Sequence, residues 1–115
     1  TQTLARAIGE RRAKELILTG KPFTAVQALK WGLLNDIFPA DELLSAAVGV
    51  AKQIALNAPI ASRQAKQAIH KGLQMSLADG LAFEIEAYNR TIPTRDRREG
   101  VAAFNQKRTP KFEGR

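Results

Sequence analysis

The sequence contains no cysteine, a single histidine and few aromatic residues: five Phe, one Trp and one Tyr in 115 positions. Without cysteine there can be no disulfide, no thiolate metal ligand and no thiol nucleophile. One histidine, His70, excludes a multi-histidine metal centre and leaves little scope for a histidine-based triad. No run approaches the roughly 18 consecutive apolar residues that a membrane-spanning helix needs. Glycine-rich phosphate loops, dinucleotide fingerprints and zinc-type spacings are missing as well. Strand-like segments are also scarce. Leu33 to Phe38 is the one candidate, and Asn35-Asp36 interrupts it.

What remains is a helical, basic chain. Its 18 Lys and Arg against 11 Asp and Glu give a net charge of +7, with 44% hydrophobic residues. Leu4, Ala7 and Ile8 share a helical face that Gly9 ends. A second helix is expected over Glu10 to Thr19, with Ala13, Leu16 and Ile17 inward and Gly20 as its C-terminal cap. Thr24 and Gln27 have the spacing of a capping box, opening a helix to about Trp31. Pro39-Ala40-Asp41 begins a longer helix through Ala58, with Leu43, Ala47, Val50, Ala51 and Ile54 as its inward stripe. Pro59 suits the first position of the next, to about Lys71. Ser76 and Asp79 start another, which Pro93 breaks, and Thr94 caps a last one through about Lys107. The tail from Thr109 to Arg115 is expected to be extended.

Alanine dominates the inward positions. Small side chains allow close helix contact but bury little area each. Two readings follow: a small helical bundle with a thin core, or the helical part of something larger whose faces meet another element or subunit. The sequence has no initiator methionine, and Thr1-Gln2-Thr3 runs directly into a helical pattern. A start inside an element suggests a fragment or a cleaved product.

Catalytic constellations are scarce. Glu84 and Glu86 are two apart and so lie on different helical faces. Glu10 and Glu15 lie among Arg11, Arg12 and Lys14, as expected of surface ion pairs. Asp96 and Glu99, at a helix start among Arg95, Arg97 and Arg98, are best explained by capping and pairing with arginine. From Arg95 to Arg115 there are seven basic and three acidic residues. In that stretch Phe104 is followed one turn later by Lys107. A ring that packs on a base and an ammonium that meets a phosphate would suit a nucleotide or RNA, but this stretch taken alone is better explained by a merely solubilising role.

The segment Ile92-Pro93-Thr94-Arg95-Asp96-Arg97-Arg98-Glu99-Gly100-Val101-Ala102-Ala103-Phe104-Asn105-Gln106-Lys107-Arg108 resembles the C-terminal signature of the enoyl-CoA hydratase/isomerase (crotonase) superfamily. Pro110-Lys111-Phe112-Glu113-Gly114 continues it. Thr1-Gln2-Thr3-Leu4, Glu15 to Gly20, Ala28 to Asn35 and Asn57-Ala58-Pro59 resemble family segments in the family's order, so the likeness covers essentially the whole chain. Ile92-Pro93-Thr94 leans toward the methylglutaconyl-CoA hydratase and AU-rich-RNA-binding branch.

The resemblance implies a mainly α segment, the C-terminal helical part of a crotonase-like α/β (ClpP/crotonase) spiral fold. Residues 1–58 would end the core, with one possible short strand, and residues 59–115 would form the helical trimerisation and pocket-covering region. The implied parent reaction is addition of water to a 2-enoyl-CoA, giving a 3-hydroxyacyl-CoA. The family's catalytic glutamates and oxyanion hole would precede Thr1, so this chain would supply no catalytic residue and no metal ligand. Phe104, Lys107 and Tyr88 match positions near the CoA nucleotide. CoA would be part of the substrate rather than a prosthetic group. The implied partners are an acyl-CoA, the N-terminal part of the same protein and further copies in a trimer or dimer of trimers. The location would be cytoplasmic in a bacterium and mitochondrial in a eukaryote. A basic RNA-binding module and a purely structural helical module are the alternatives.

Overall fold

The computed structural model describes residues 1–115. It contains seven α-helices and no β-strand. The chain divides into two units, Thr1–Ala47 and Val48–Arg115.

In the first unit, α1 (Gln2–Ile8) and α2 (Glu10–Thr19) pack on each other around Ile8 and Ala13, both buried. Gly20 ends α2 in the left-handed conformation expected of it (φ 63°), where a side chain would be strained. The capping box of α3 (Ala25–Lys30) is complete. The Thr24 hydroxyl accepts from the Gln27 amide at 3.2 Å, and the Gln27 side-chain oxygen accepts from the Thr24 amide at 2.9 Å. Trp31 caps the other end. Its ring lies 5.3 Å from that of Phe23, and the Arg12 guanidinium stands 5.0 Å above it.

The expected strand at Leu33 to Phe38 does not form. A strand needs a partner to satisfy its amides, and no other strand is present. Instead the Ile37 amide donates to the Asp36 carboxylate at 2.8 Å. The next helix also starts later than the pattern suggests. Glu42 and Leu43 both donate to the Pro39 carbonyl at 3.0 Å, forming a turn, and α4 runs from Leu43 to Ala55. It buries none of its residues, and its apolar stripe is exposed, with Ile54 at 58%.

In the second unit, α5 (Pro59–Gly72) and α6 (Leu77–Asn89) pack against each other. Only small residues fit their crossing: a β-carbon on Gly80 would lie 3.6 Å from the Gly72 α-carbon. The Lys71 ammonium sits 5.2 Å from the Phe83 ring centre. Ser76 caps α6, accepting from the Asp79 amide at 3.2 Å and donating to its carboxylate at 2.6 Å. The helix ends at Asn89, ahead of Pro93, because the Thr91 hydroxyl and amide both turn back to the Tyr88 carbonyl.

The buried apolar set is small: Ile8, Ala13, Ala28, Ala87 and Ala103. Large side chains such as Leu73 (78% exposed) and Leu77 (79%) stay in solvent. Apolar exposure on this scale marks surfaces that meet something else. No single helix is long and apolar enough to cross a membrane.

Candidate functional site

The site is built on α7 (Arg95–Asn105) and the tail after it. Thr94 starts the helix: its hydroxyl accepts from the Arg97 amide at 3.1 Å and donates to the Thr91 carbonyl at 2.7 Å. This one side chain joins the turn that follows α6 to the start of α7.

Asp96 and Glu99 then receive the tail. Asp96 is 2% exposed and its carboxylate accepts from the Glu113 and Gly114 amides at 2.7 and 2.8 Å. Glu99 accepts both guanidinium nitrogens of Arg108, at 2.6 and 2.9 Å, and the Lys111 amide at 2.7 Å. The Arg108 hydrogen bonds, seconded by the Lys111 amide, hold the Glu99 carboxyl at about 2, below its ordinary 4.5. Hydrogen bonding to Glu99 pushes the Arg108 guanidinium above its ordinary value in turn. Local arginine pairing therefore holds for Glu99. Asp96 instead captures backbone 17 and 18 residues away. The surface pair expected of Glu10 forms with Lys14.

α7 ends at Asn105, two residues before the expected limit. Lys107 follows the cap residue Gln106 and has φ 52°, the one non-glycine residue in the left-handed region. Its amide donates to the Phe104 carbonyl at 3.1 Å, and the Arg108 amide to that of Ala103 at 3.0 Å. This is a Schellman ending with lysine where glycine is usual. A strained backbone at that point fixes where the lysine leaves the helix. The Lys107 ammonium is in no ion pair.

Two hollows adjoin. One, of about 390 Å³, is lined by Ala58, Ala61, Gly100, Val101, Phe104 and Phe112 among others. The second, of about 500 Å³, lies along α5 and α6 and includes Gln64, Glu84, Tyr88 and Ala87. Ala61, Thr91 and Arg97 line both. Arg97 donates to the Tyr88 hydroxyl at 3.2 Å. The structure thus brings Phe104 and Tyr88 to connected hollows, while Lys107 lines neither and stands three residues beyond Phe104. Phe104 is 84% exposed and Tyr88 52%.

Sequence reasoning missed Arg97, Phe112 and Gln64. The Gln64 side-chain oxygen is buried without a hydrogen-bond partner, an arrangement that is costly unless a donor reaches it. Polar residues spaced along α5 carry no signal that singles it out. His70 is exposed. No group of three or more His, Asp or Glu side chains converges to hold a metal ion.

The chain matches the enoyl-CoA hydratase/isomerase family model over residues 1–115. The YngF protein of Bacillus subtilis is 49% identical over 114 residues, covering 99% of this chain and 44% of that protein. The 2,3-dehydroadipyl-CoA hydratase of Escherichia coli is 42% identical over 115 residues, covering 100% of this chain and 45% of its own length. The crystal structure of enoyl-CoA hydratase from Bacillus anthracis superposes with a TM-score of 0.95 at 46% identity, over 99% of this chain and 44% of that one. The chain therefore spans less than half the length of the relatives it matches, and its all-helical architecture is that of the helical part of their fold.

Proposed function

Because the chain belongs to the enoyl-CoA hydratase/isomerase family, we propose that it is the helical portion of an enzyme that adds water to a 2-enoyl-CoA. The product is a 3-hydroxyacyl-CoA. One carboxylate positions and deprotonates the water, a second delivers a proton to the α-carbon, and two backbone amides hold the enolate-like charge on the thioester oxygen. Those groups belong to the part of the protein that precedes Thr1. This chain contributes binding rather than acid–base chemistry.

The observation that carries the reading is the pairing of Phe104 with Lys107. Phe104 is an apolar ring left 84% exposed at the end of α7. One turn on, Lys107 projects an ammonium that no carboxylate neutralises. The ring packs on the adenine end of CoA and the ammonium meets a phosphate. Tyr88, held by Arg97, lines the adjoining hollow and is the third residue on the nucleotide side. Exposed apolar residues such as Leu73 and Leu77 fit contacts with the rest of the protein and with further copies in a trimer or dimer of trimers. The location follows the source, cytoplasmic in a bacterium and mitochondrial in a eukaryote.

RNA is the less favoured ligand, since Glu99 and Glu113 pair with Arg108 and Arg115 and withdraw two of the terminal cations. Within the family, the sequence Ile92-Pro93-Thr94 leans toward the methylglutaconyl-CoA hydratase branch. The test is to incubate the full-length protein with a straight-chain 2-enoyl-CoA and with 3-methylglutaconyl-CoA and identify the products. Formation of a 3-hydroxyacyl-CoA is expected. A product in which only the double bond has moved would refute hydration, and steeply salt-dependent RNA binding without turnover would favour the rival.

A further inference from the structure

Residues 109–115 belong to no helix or strand, yet they are held along their length. Glu99 takes the Lys111 amide and Asp96 those of Glu113 and Gly114. The Asp96 amide donates in return to the Arg115 carbonyl at 3.1 Å. Gly114 (φ 78°) comes so close to the start of α5 that a β-carbon there would lie 3.5 Å from the Pro59 ring. The tail therefore ties α7 to α5. Between these anchors Phe112 is half-buried, and its ring would lie 3.5 Å from a β-carbon on Gly100. It forms a wall of the same 390 Å³ hollow that Phe104 lines.

We propose that Asp96 is a positioning residue for the nucleotide end of the CoA thioester: its carboxylate clamps the tail so that Phe112 stands as a fixed wall beside Phe104. This rests on the reading that Phe104 meets the adenine. A buried carboxylate is tolerated only when hydrogen bonds replace its water, and here the replacing donors are the two amides that flank the residue after Phe112. Releasing them frees residues 109–115, and Phe112 leaves the hollow. A planar heteroaromatic base is the ligand for which two aromatic rings on one hollow are suited. Fixing the wall beforehand removes an ordering cost from binding.

The experiment uses the full-length enzyme and its Asp96→Asn and Phe112→Ala variants. It measures kcat and KM for a CoA thioester and for the same acyl group on a pantetheine thioester that lacks the nucleotide. In both variants KM for the CoA ester rises about fivefold, whereas KM for the truncated ester moves less than about twofold. An equal rise for both esters, or a lower melting temperature with neither KM changed, would show the tail to be purely structural and overturn the proposal. Should Asp96→Asn fail to fold, Phe112→Ala, which leaves the carboxylates in place, decides by the same split. A wild-type enzyme that does not prefer the CoA ester to the truncated one would overturn the nucleotide reading itself and this inference with it. A wild type that does prefer it, with variants showing no split, overturns only the clamp.

Discussion

Arg108 grips Glu99 through two nearly parallel hydrogen bonds, 2.6 and 2.9 Å long, across nine residues of chain. Paired donors of this kind favour the ionised carboxylate strongly. They hold its pKa at about 2 instead of 4.5. A carboxyl depressed in the folded state adds stability above its ordinary value, and that contribution is lost as pH falls through the folded one. Between pH 4.5 and 2 the melting temperature of the full-length protein should therefore fall more steeply than that of its Glu99→Gln variant. Parallel profiles would show that the pair does not couple to folding.

Lys107 occupies a backbone conformation that glycine adopts without strain. Lys107→Gly should raise stability by about 0.5–1 kcal/mol while weakening CoA binding. Lys107→Ala should weaken binding similarly with no such gain, because its β-carbon retains the strain. Thermal melts of the two variants side by side provide the check.

The crossing of α5 and α6 sets a size limit at Gly80. A β-carbon 3.6 Å from the Gly72 backbone is in ordinary contact. Gly80→Ala should therefore be accepted and stabilise the helix by up to about 1 kcal/mol. Gly80→Leu must push against main chain and should cost about 1–3 kcal/mol. Denaturant unfolding of both variants would expose an error if the alanine form were the less stable.

Thr94 ties the turn after α6 to the start of α7 through one hydroxyl. Thr94→Ala should destabilise the protein by about 1–2 kcal/mol, and Thr94→Ser by much less, since serine keeps both hydrogen bonds. Equal losses would assign the effect to the methyl group instead.

What could be read in advance was local. Thr24 with Gln27, Ser76 with Asp79, Thr94 before α7 and Gly20 after α2 each act within a few residues, so their spacing already contains the interaction. The stripe on α4 shows the limit of periodicity, which tells which residues share a face but not what covers it. Leu33 to Phe38 has strand composition without a strand to pair with. The capture of Glu113 and Gly114 by Asp96 joins positions 17 and 18 apart, and the Arg97–Tyr88 contact crosses a turn. No residue pattern announces either. The spacing of Phe104 and Lys107 points to a nucleotide or RNA contact, whereas their link to CoA, and Tyr88 altogether, rest on likeness to a family. The structure adds that Phe104 and Tyr88 line adjoining hollows and that Lys107 is itself in the left-handed conformation.

Binding of CoA and of 3′-dephospho-CoA to the full-length protein, with and without Lys107→Ala, is the most direct test of the nucleotide site. Wild type should prefer CoA, and the substitution should reduce its affinity for CoA about tenfold while changing that for dephospho-CoA little. An equal loss for both ligands, or none for either, would contradict a Lys107–phosphate contact at the end of α7.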